Sequence, residues 1–296
     1  MNRRLALAPL FACFMNDNRP TFLYFPQWQG CGSTNAIQTG AEMLRAAFVG
    51  VQPVTIPLSA EPPTARYGIS GYQPLLAQLN AARTILEQQQ PARLLLVAGD
   101  CAAEIAPINY LNQRYEGDLL VLWLDAHADL NTPASSPSGH FHGMPLRLLL
   151  DGQFPATAFR VASPLTSQQV VFVGLRDTDP EEDRYVADHA IPVLAASSPL
   201  AEQLAPLLAR INARNLYIHL DLDVLDPQQF PDLQCPAAGG YRAEEIAQLL
   251  RHLLATQHVV GMSLTETTAT RPEALAPIHS ILTVYQNWLL KPPVAA

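Results

Sequence analysis

L-L-V-L-W-L-D-A-H-A-D-L-N-T-P-A-S-S-P-S-G-H-F-H-G-M, residues Leu119 to Met144, is the stretch whose reading decides the fold. Six apolar residues run unbroken into Asp125, His127 and Asp129, spaced i, i+2 and i+4, and a polar loop follows that carries His140 and His142. A strand buried on both faces reads as a continuous Leu/Val run, as the strands of a parallel sheet do. Residues two apart on a strand point to one side. If the extended conformation persists past Leu124, two carboxylates and an imidazole converge at the carboxyl end of a strand, where open α/β sheets bind ligands.

Working outward, the same pattern recurs. Thr21–Phe25 reads as the first strand, followed by a turn over Gly30 to Ser33 and a helix over Thr34 to Phe48. Gln52 to Gly71, with Pro53, Pro57, Pro62 and Pro63, reads as an irregular surface loop, and helix returns over Gln73 to Gln89. Arg93 to Ala98 is a second apolar run ending in Gly99-Asp100-Cys101, with a helix expected over Ala102 to Arg114. Val170 to Gly174 runs into Asp177 and Asp179, Leu216 to Leu220 into Asp221 and Asp223, and Val259 to Leu264 into Glu266. Further helices are expected near Glu202 to Ala213, Ala243 to Ala255 and Pro277 to Leu290. Strands alternating with helices predict a parallel sheet with helices on both faces.

Composition bounds the function. With 296 residues, 49% hydrophobic and 15% charged, the chain can bury a sizeable core in an α/β domain. Its net charge of -8 argues against a nucleic-acid partner, which would call for clustered Lys and Arg. The cysteines Cys13, Cys31, Cys101 and Cys235 follow no C-x-x-C spacing, so neither a disulfide framework nor a Cys-rich zinc site is indicated. Arg3 and Arg4 before the apolar Leu5 to Met15 resemble a short signal peptide, but the segment lacks an A-x-A site and is too short to span a membrane. The expectation is a cytoplasmic protein with no membrane partner. Residues 1–20 form an N-terminal extension, with Met1 or Met15 as the start, and 21–296 form a single domain.

A lone Asp after a strand is commonly a cap or turn residue. Here Asp125, Asp129, Asp221 and Asp223 recur at the same end of successive strands, and buried like charges cannot all ionise unpaired. Divalent cations resolve this, and a carboxylate-rich set with an occasional imidazole suits manganese or magnesium, with zinc or iron as alternatives. Two such cations about 3.5 to 4 Å apart can lower the pKa of a shared water, so the chemistry indicated is metal-assisted hydrolysis. Trp123 and His219 read as packed core residues, and His189, His252 and His258 as surface helix residues.

The strings G-D-C, D-A-H-A-D-L-N-T-P, S-G-H-F-H-G-M-P, G-L-R-D-T-D-P and D-L-D-V-L-D-P, with the late Glu266, resemble the arginase (ureohydrolase) family in sequence and order, from about Val97 to Glu266. The resemblance implies a three-layer α/β fold with an eight-stranded parallel sheet and two manganese ions. Asp125, His127, Asp129, Asp221 and Asp223 match five of the six metal ligands, with Asp125 and Asp221 as the bridging pair. His142 matches the general acid or proton shuttle, and Glu266 the carboxylate that holds the guanidinium. Asn131 and Ser138, with Ser136 and His140 nearby, match positions that receive an α-carboxylate, and Asp179 the residue facing an α-amino group. Their simpler reading is turn formation.

Two positions depart from the family. The sixth ligand is a histidine in G-D-H, but here it is Cys101, which leaves that site weak or empty, or makes it softer and more zinc-preferring. Cys235 stands where arginases have a threonine near the guanidinium. The Cys101 replacement is shared with an arginase-like branch that hydrolyses Nω-hydroxyarginine. The expected function is therefore hydrolysis of a small guanidino amino acid, arginine or an N-modified arginine, to urea or a substituted urea plus ornithine. Homo-oligomers are frequent in the family. The alternatives are an agmatinase- or formimidoylglutamase-type hydrolase, or a metal-poor non-catalytic homologue.

Overall fold

In the computed structural model, which describes residues 19–32, 34–194, 200–211 and 213–291, the continuous apolar runs become the long strands of one sheet. They are β1 (Thr21–Phe25), β3 (Leu94–Ala98), β4 (Leu120–Leu124), β5 (Val170–Val173), β7 (Leu216–Leu220) and β8 (Val259–Leu264). The two-residue strands β2 (Val54–Thr55) and β6 (Val193–Leu194) complete an eight-stranded sheet ordered β2-β1-β3-β8-β7-β4-β5-β6, every pairing parallel. These edge strands are corrections: β2 lies inside the segment read as irregular loop, and β6 has no counterpart in the sequence reading. Two residues paired on one side are too few to print a period. The N-terminal segment with Arg3, Arg4 and Cys13, and the turn residue Ser33, lie outside the described residues.

Residues of the inner strands alternate between two cores. In β7, Leu216, Ile218 and Leu220 pack with α1 (Ala36–Ala47), α6 (Leu200–Ile211), α7 (Ala243–Thr256) and α8 (His279–Leu290). Tyr217 points to the opposite layer, formed by α2 (Tyr72–Gln89), α3 (Ile105–Arg114), α4 (Pro145–Asp151) and α5 (Pro180–Asp188). Burial on both faces explains why these strands carry no polar period. The helix expected from Ala102 opens as a 3-10 turn over Cys101–Glu104 and becomes α-helical at Ile105.

Helices α4 and α5 are absent from the sequence reading because both are short. A signal for α5 was present. Asp179 is its N-cap, Pro180 stands in its first turn, and Glu182 closes a capping box.

The chain passes from β3 to β4 leaving two places between them, which β8 and β7 later fill. The polar ends of β3, β8, β7 and β4 thereby become spatial neighbours. Four stretches far apart in sequence meet at one edge of the sheet, where ligands bind in such folds. Among the described residues, no helix is long and apolar enough to cross a membrane.

Candidate metal centre and active-site cleft

The extended conformation does not persist past Leu124, and this corrects how the D-A-H-A-D residues converge. Asp129 takes φ +54°, a left-handed conformation that Asp tolerates better than most residues. On a continuing strand all three side chains would share one side. Instead Asp125 and His127 face Asp223, while Asp129 lies with Asp125 beside Cys101 and His219. The His127 backbone N–H donates to Asp125 Oδ1 at 2.6 Å, and His127 Nδ1 lies 2.9 Å from Asp223 Oδ2. Glu266 is also left-handed, at φ +64°. Such outliers concentrate at functional sites, where the surrounding structure must hold them.

Three sets of side chains each bring one ligand atom within 4.8 Å of the others: Asp125, His127 and Asp223; Cys101, Asp125, Asp129 and His219; and Cys101, Asp221 and Glu266. All six residues expected as metal ligands belong to these sets. Asp129 Oδ2 and Glu266 Oε2 are buried without a hydrogen-bond partner. Burial, aided by neighbouring carboxylates, pushes Asp129 and Asp221 well above the usual carboxylate range and Asp223 up to about 6. For Asp125 burial is outweighed by the neighbouring His127 and His219 imidazoles, which hold it below that range. Orphaned acceptors and mutually repelling buried carboxylates are the mark of a cation site, so these residues fit divalent metal ions.

Cys101 is buried, and desolvation with the surrounding carboxylates drives its thiol well above its ordinary range. It donates to Asp221 Oδ2 at 3.1 Å. The backbone N–H of Cys101 donates to Glu266 Oε1 at 3.0 Å. Cys31, Cys101 and Cys235 are free thiols.

Supporting residues that sequence reasoning missed hold this edge together. Trp123, expected as plain core, is fully buried but also donates Nε1–H to Asp125 Oδ2 at 3.0 Å. Asp100 accepts from Gln27 Nε2 (2.7 Å), Gly30 N (2.8 Å) and Ala102 N (3.0 Å) beneath Cys101. A Cβ on Gly30 would lie 2.5 Å from that carboxylate, so the approach requires glycine. Burial and the nearby Glu266 raise Asp100 to about 7. Arg176 spreads its guanidinium over the carbonyls of Gly174, Asp223, Leu225, Ala237 and Ala238, fixing the loop that carries Asp223. His219 is fully buried, as expected of a packed residue, with Nδ1 3.0 Å from Glu104 Oε1. His258, expected on a helix, instead precedes β8 and pairs with Asn215.

Above the donors opens a cleft of about 210 Å³. Its walls include Asn131, Ser136, Ser138, His140, His142, Asp179, Cys235 and Glu266, while Asp125 lies beneath the surface. Cys235, pushed up to about 12 by burial, is a protonated thiol at neutral pH. His142 Nδ1 is 3.0 Å from Glu266 Oε1. Burial lowers the His142 pKa, but the Glu266 carboxylate outweighs it, so the imidazole holds a proton more tightly than usual.

On the opposite wall, Asn131 Nδ2 donates to Asp179 Oδ2 at 2.8 Å, and Asn131 Oδ1 accepts from Ser135. Glu182 ties the two loops by accepting from Leu130 N and Asp179 N, each at 2.9 Å. Ser136 and Ser138 do act as turn residues: their hydroxyls accept from Gly139 N and His140 N. His140 packs so closely on Gly32 that a Cβ there would lie 2.1 Å from its Nε2.

The pattern of the Arginase family matches residues 38–274 of the chain. An arginase of Staphylococcus aureus is 33% identical over 180 residues, 58% of this chain and 59% of that protein. Arginase-1 of Mus musculus is 30% identical over 213 residues, 67% of this chain and 65% of that protein. The chain thus spans under two thirds of the length of these curated relatives. The solved arginase of Bacillus caldovelox superposes with a TM-score of 0.80 at 22% identity, over 93% of this chain and 100% of that one, a likeness of fold.

Proposed function

This chain belongs to the arginase family, and we propose that it is a metal-dependent amidinohydrolase that cleaves a guanidino C–N bond of L-arginine or an N-modified arginine such as Nω-hydroxy-L-arginine. The products would be urea or a substituted urea and ornithine. The observation that carries the reading is the placement of Glu266 and His142 directly over the donor cluster. Glu266 Oε1 accepts from Cys101 N–H and lies 3.0 Å from His142 Nδ1, and the residue lines the cleft beside Asp221 and Cys101. A guanidinium suits a carboxylate on the cleft wall, since a planar cation offers it several donors.

Bound divalent cations, manganese in this reading, supply a water of lowered pKa as the nucleophile. The protein's own groups do the rest. Glu266 holds the guanidinium with its carbon over the donor cluster. His142, kept protonated by Glu266, delivers a proton to the departing amine nitrogen. Asp179 receives the α-ammonium. The remaining N–H of Asn131 and the loop of Ser136, Ser138 and His140 face the α-carboxylate. The walls of Asp179 and Asn131 favour an intact α-amino acid over a decarboxylated amine. Cys235 lies where it touches a substituent on the guanidine. We further propose a cytoplasmic location and a homo-oligomer.

The test is a panel of arginine, Nω-hydroxyarginine, agmatine and formimidoylglutamate, with metal content and ornithine release measured on the same sample. Hydrolysis of arginine or Nω-hydroxyarginine, and a greater loss on arginine than on agmatine, which lacks only the α-carboxylate, in Asn131→Ala, is expected. A metal-loaded chain that cleaves none of the four refutes the reading.

A further inference from the structure

His219 is a fully buried histidine to which the proposed chemistry gives no task. It stands in β7 two residues before Asp221 and lies in register with Trp123 of β4, whose indole stacks on its ring at a centroid distance of 3.8 Å. Strand alternation turns Tyr217 and His219 to the α3 side of the sheet, where the turn opening at Cys101 passes. There His219 Nδ1 sits 3.0 Å from Glu104 Oε1, and Glu104 accepts in addition from the Tyr217 hydroxyl. With Nδ1–H given to Glu104, the ring's lone pair is on Nε2. That atom lies 3.5 Å from Asp125 Oδ2, beyond a normal hydrogen bond, and 3.8 Å from Cys101 Sγ, a long contact to sulfur. A carboxylate behind an imidazole is the arrangement that sets the tautomer of a metal-binding histidine and raises its basicity.

We propose that His219 is the nitrogen ligand of the Cys101-side cation, so that Cys101, Asp125, Asp129 and His219 form one four-donor site for a borderline-soft divalent ion such as zinc. The assignment deepens the amidinohydrolase reading, on whose dinuclear centre it rests. A tetrahedral ion with bonds of about 2.0 to 2.3 Å spaces its donors by about 3.3 to 3.8 Å. The 3.5 and 3.8 Å separations from His219 Nε2 fall in that range, and the four ligand atoms all lie within 4.8 Å of one another. Asp129 Oδ2, buried and without a partner, points independently to a missing cation. A donor set of one sulfur, one nitrogen and two carboxylates is softer than an all-oxygen set and prefers zinc or cobalt over manganese. The imidazole that the family resemblance places at residue 101 is thereby supplied from a strand of the same sheet, and the Cys101 replacement leaves no ligand short.

The test uses the chelator-stripped full chain reloaded with Co2+. Anomalous scattering from its crystals should place one cobalt within about 2.0 to 2.2 Å of His219 Nε2, and the solution spectrum should carry a sulfur-to-cobalt charge-transfer band. In cobalt titrations His219→Gln should weaken the ion bearing that band about a hundredfold. Glu104→Gln, which removes no ligand, should weaken it about ten- to a hundredfold. The ion between His127 and Asp223 should keep its affinity in both. A cobalt seated away from His219, a single ion held only on the His127 side, or unchanged affinity in both variants overturns the proposal. These readouts are independent of turnover, so a chain that binds cobalt as described but hydrolyses no guanidine would sink the functional reading alone.

Discussion

Replacing Cys101 by histidine, the residue the family resemblance places there, should destabilise this chain unless His219 is removed as well. Cys101 Sγ is 3.1 Å from Asp221 Oδ2, 3.4 Å from Thr265 Oγ1 and 3.8 Å from His219 Nε2, and the residue is 2% exposed. An imidazole sets its Cγ near the present sulfur and drives the rest of the ring into neighbours already in contact. Overpacking of this kind costs about 1 to 3 kcal/mol. His219→Ser opens the space but strands Glu104 without its imidazole partner, a further cost of about 1 to 3 kcal/mol for an unsatisfied buried acceptor. If the two rings compete for one volume, the double variant should exceed the sum of the single effects in stability by about 1 to 3 kcal/mol, the coupling expected of residues in contact. Urea denaturation of all four proteins in chelator isolates this packing effect from metal binding. In equilibrium dialysis with manganese, only the double variant should gain occupancy over the parent. Additivity within about 0.5 kcal/mol would refute the reasoning, because it would mean that Cys101 and His219 do not share the space.

Two further outcomes follow from the same geometry. The metal-free chain should lose stability as pH rises from about 5 to 9. Asp100 and Asp223, raised to about 7 and about 6, stay protonated in the folded state after the unfolded chain has released its protons near pH 4, and His219, raised to about 9, keeps a proton the unfolded imidazole loses near pH 6.5. In every case the folded state binds more protons, so the slope is negative. Asp100 alone accounts for roughly 3 kcal/mol of this loss, about two units between pH 5 and its folded value at 1.36 kcal/mol per pKa unit. Urea midpoints in chelator that rise with pH would contradict this, whereas added metal should stabilise most at the alkaline end, where its ligands are deprotonated. Arg176→Lys should destabilise by about 2 to 3 kcal/mol, because an ammonium has three donors and cannot span the carbonyls the planar fork now satisfies. It should also weaken the ion held by Asp223 about tenfold; an unchanged melting curve and metal affinity would show the clamp to be idle.

Much of the fold was legible because burial leaves a local mark. Leu94–Ala98, Leu120–Leu124 and Leu216–Leu220 are covered on both faces, so each had to be a continuous apolar run, and each had to release its polar residues at its end. That was enough to bring Asp125, His127, Asp129, Asp221 and Asp223 together as one constellation, to which the family resemblance added Cys101 and Glu266. Elements with less burial left less of a mark: β2, β6, α4 and α5 are short, and the Asp179-Pro180-Glu181-Glu182 start of α5 was readable only as capping chemistry.

The sequence by itself therefore determined six candidate donor residues, the strands that end in them and the family pattern they form, since composition and period record which faces are buried. Only the tertiary structure decided that Asp129 takes a left-handed conformation and parts from His127 while staying beside Asp125. It alone decided that β8 and β7 fill the gap between β3 and β4, and that Glu104 meets His219 across 115 residues of chain. Those outcomes depend on the free energy of assembling the whole sheet. No local period carries it, because a residue's neighbours in sequence do not specify which distant strand end will lie beside it.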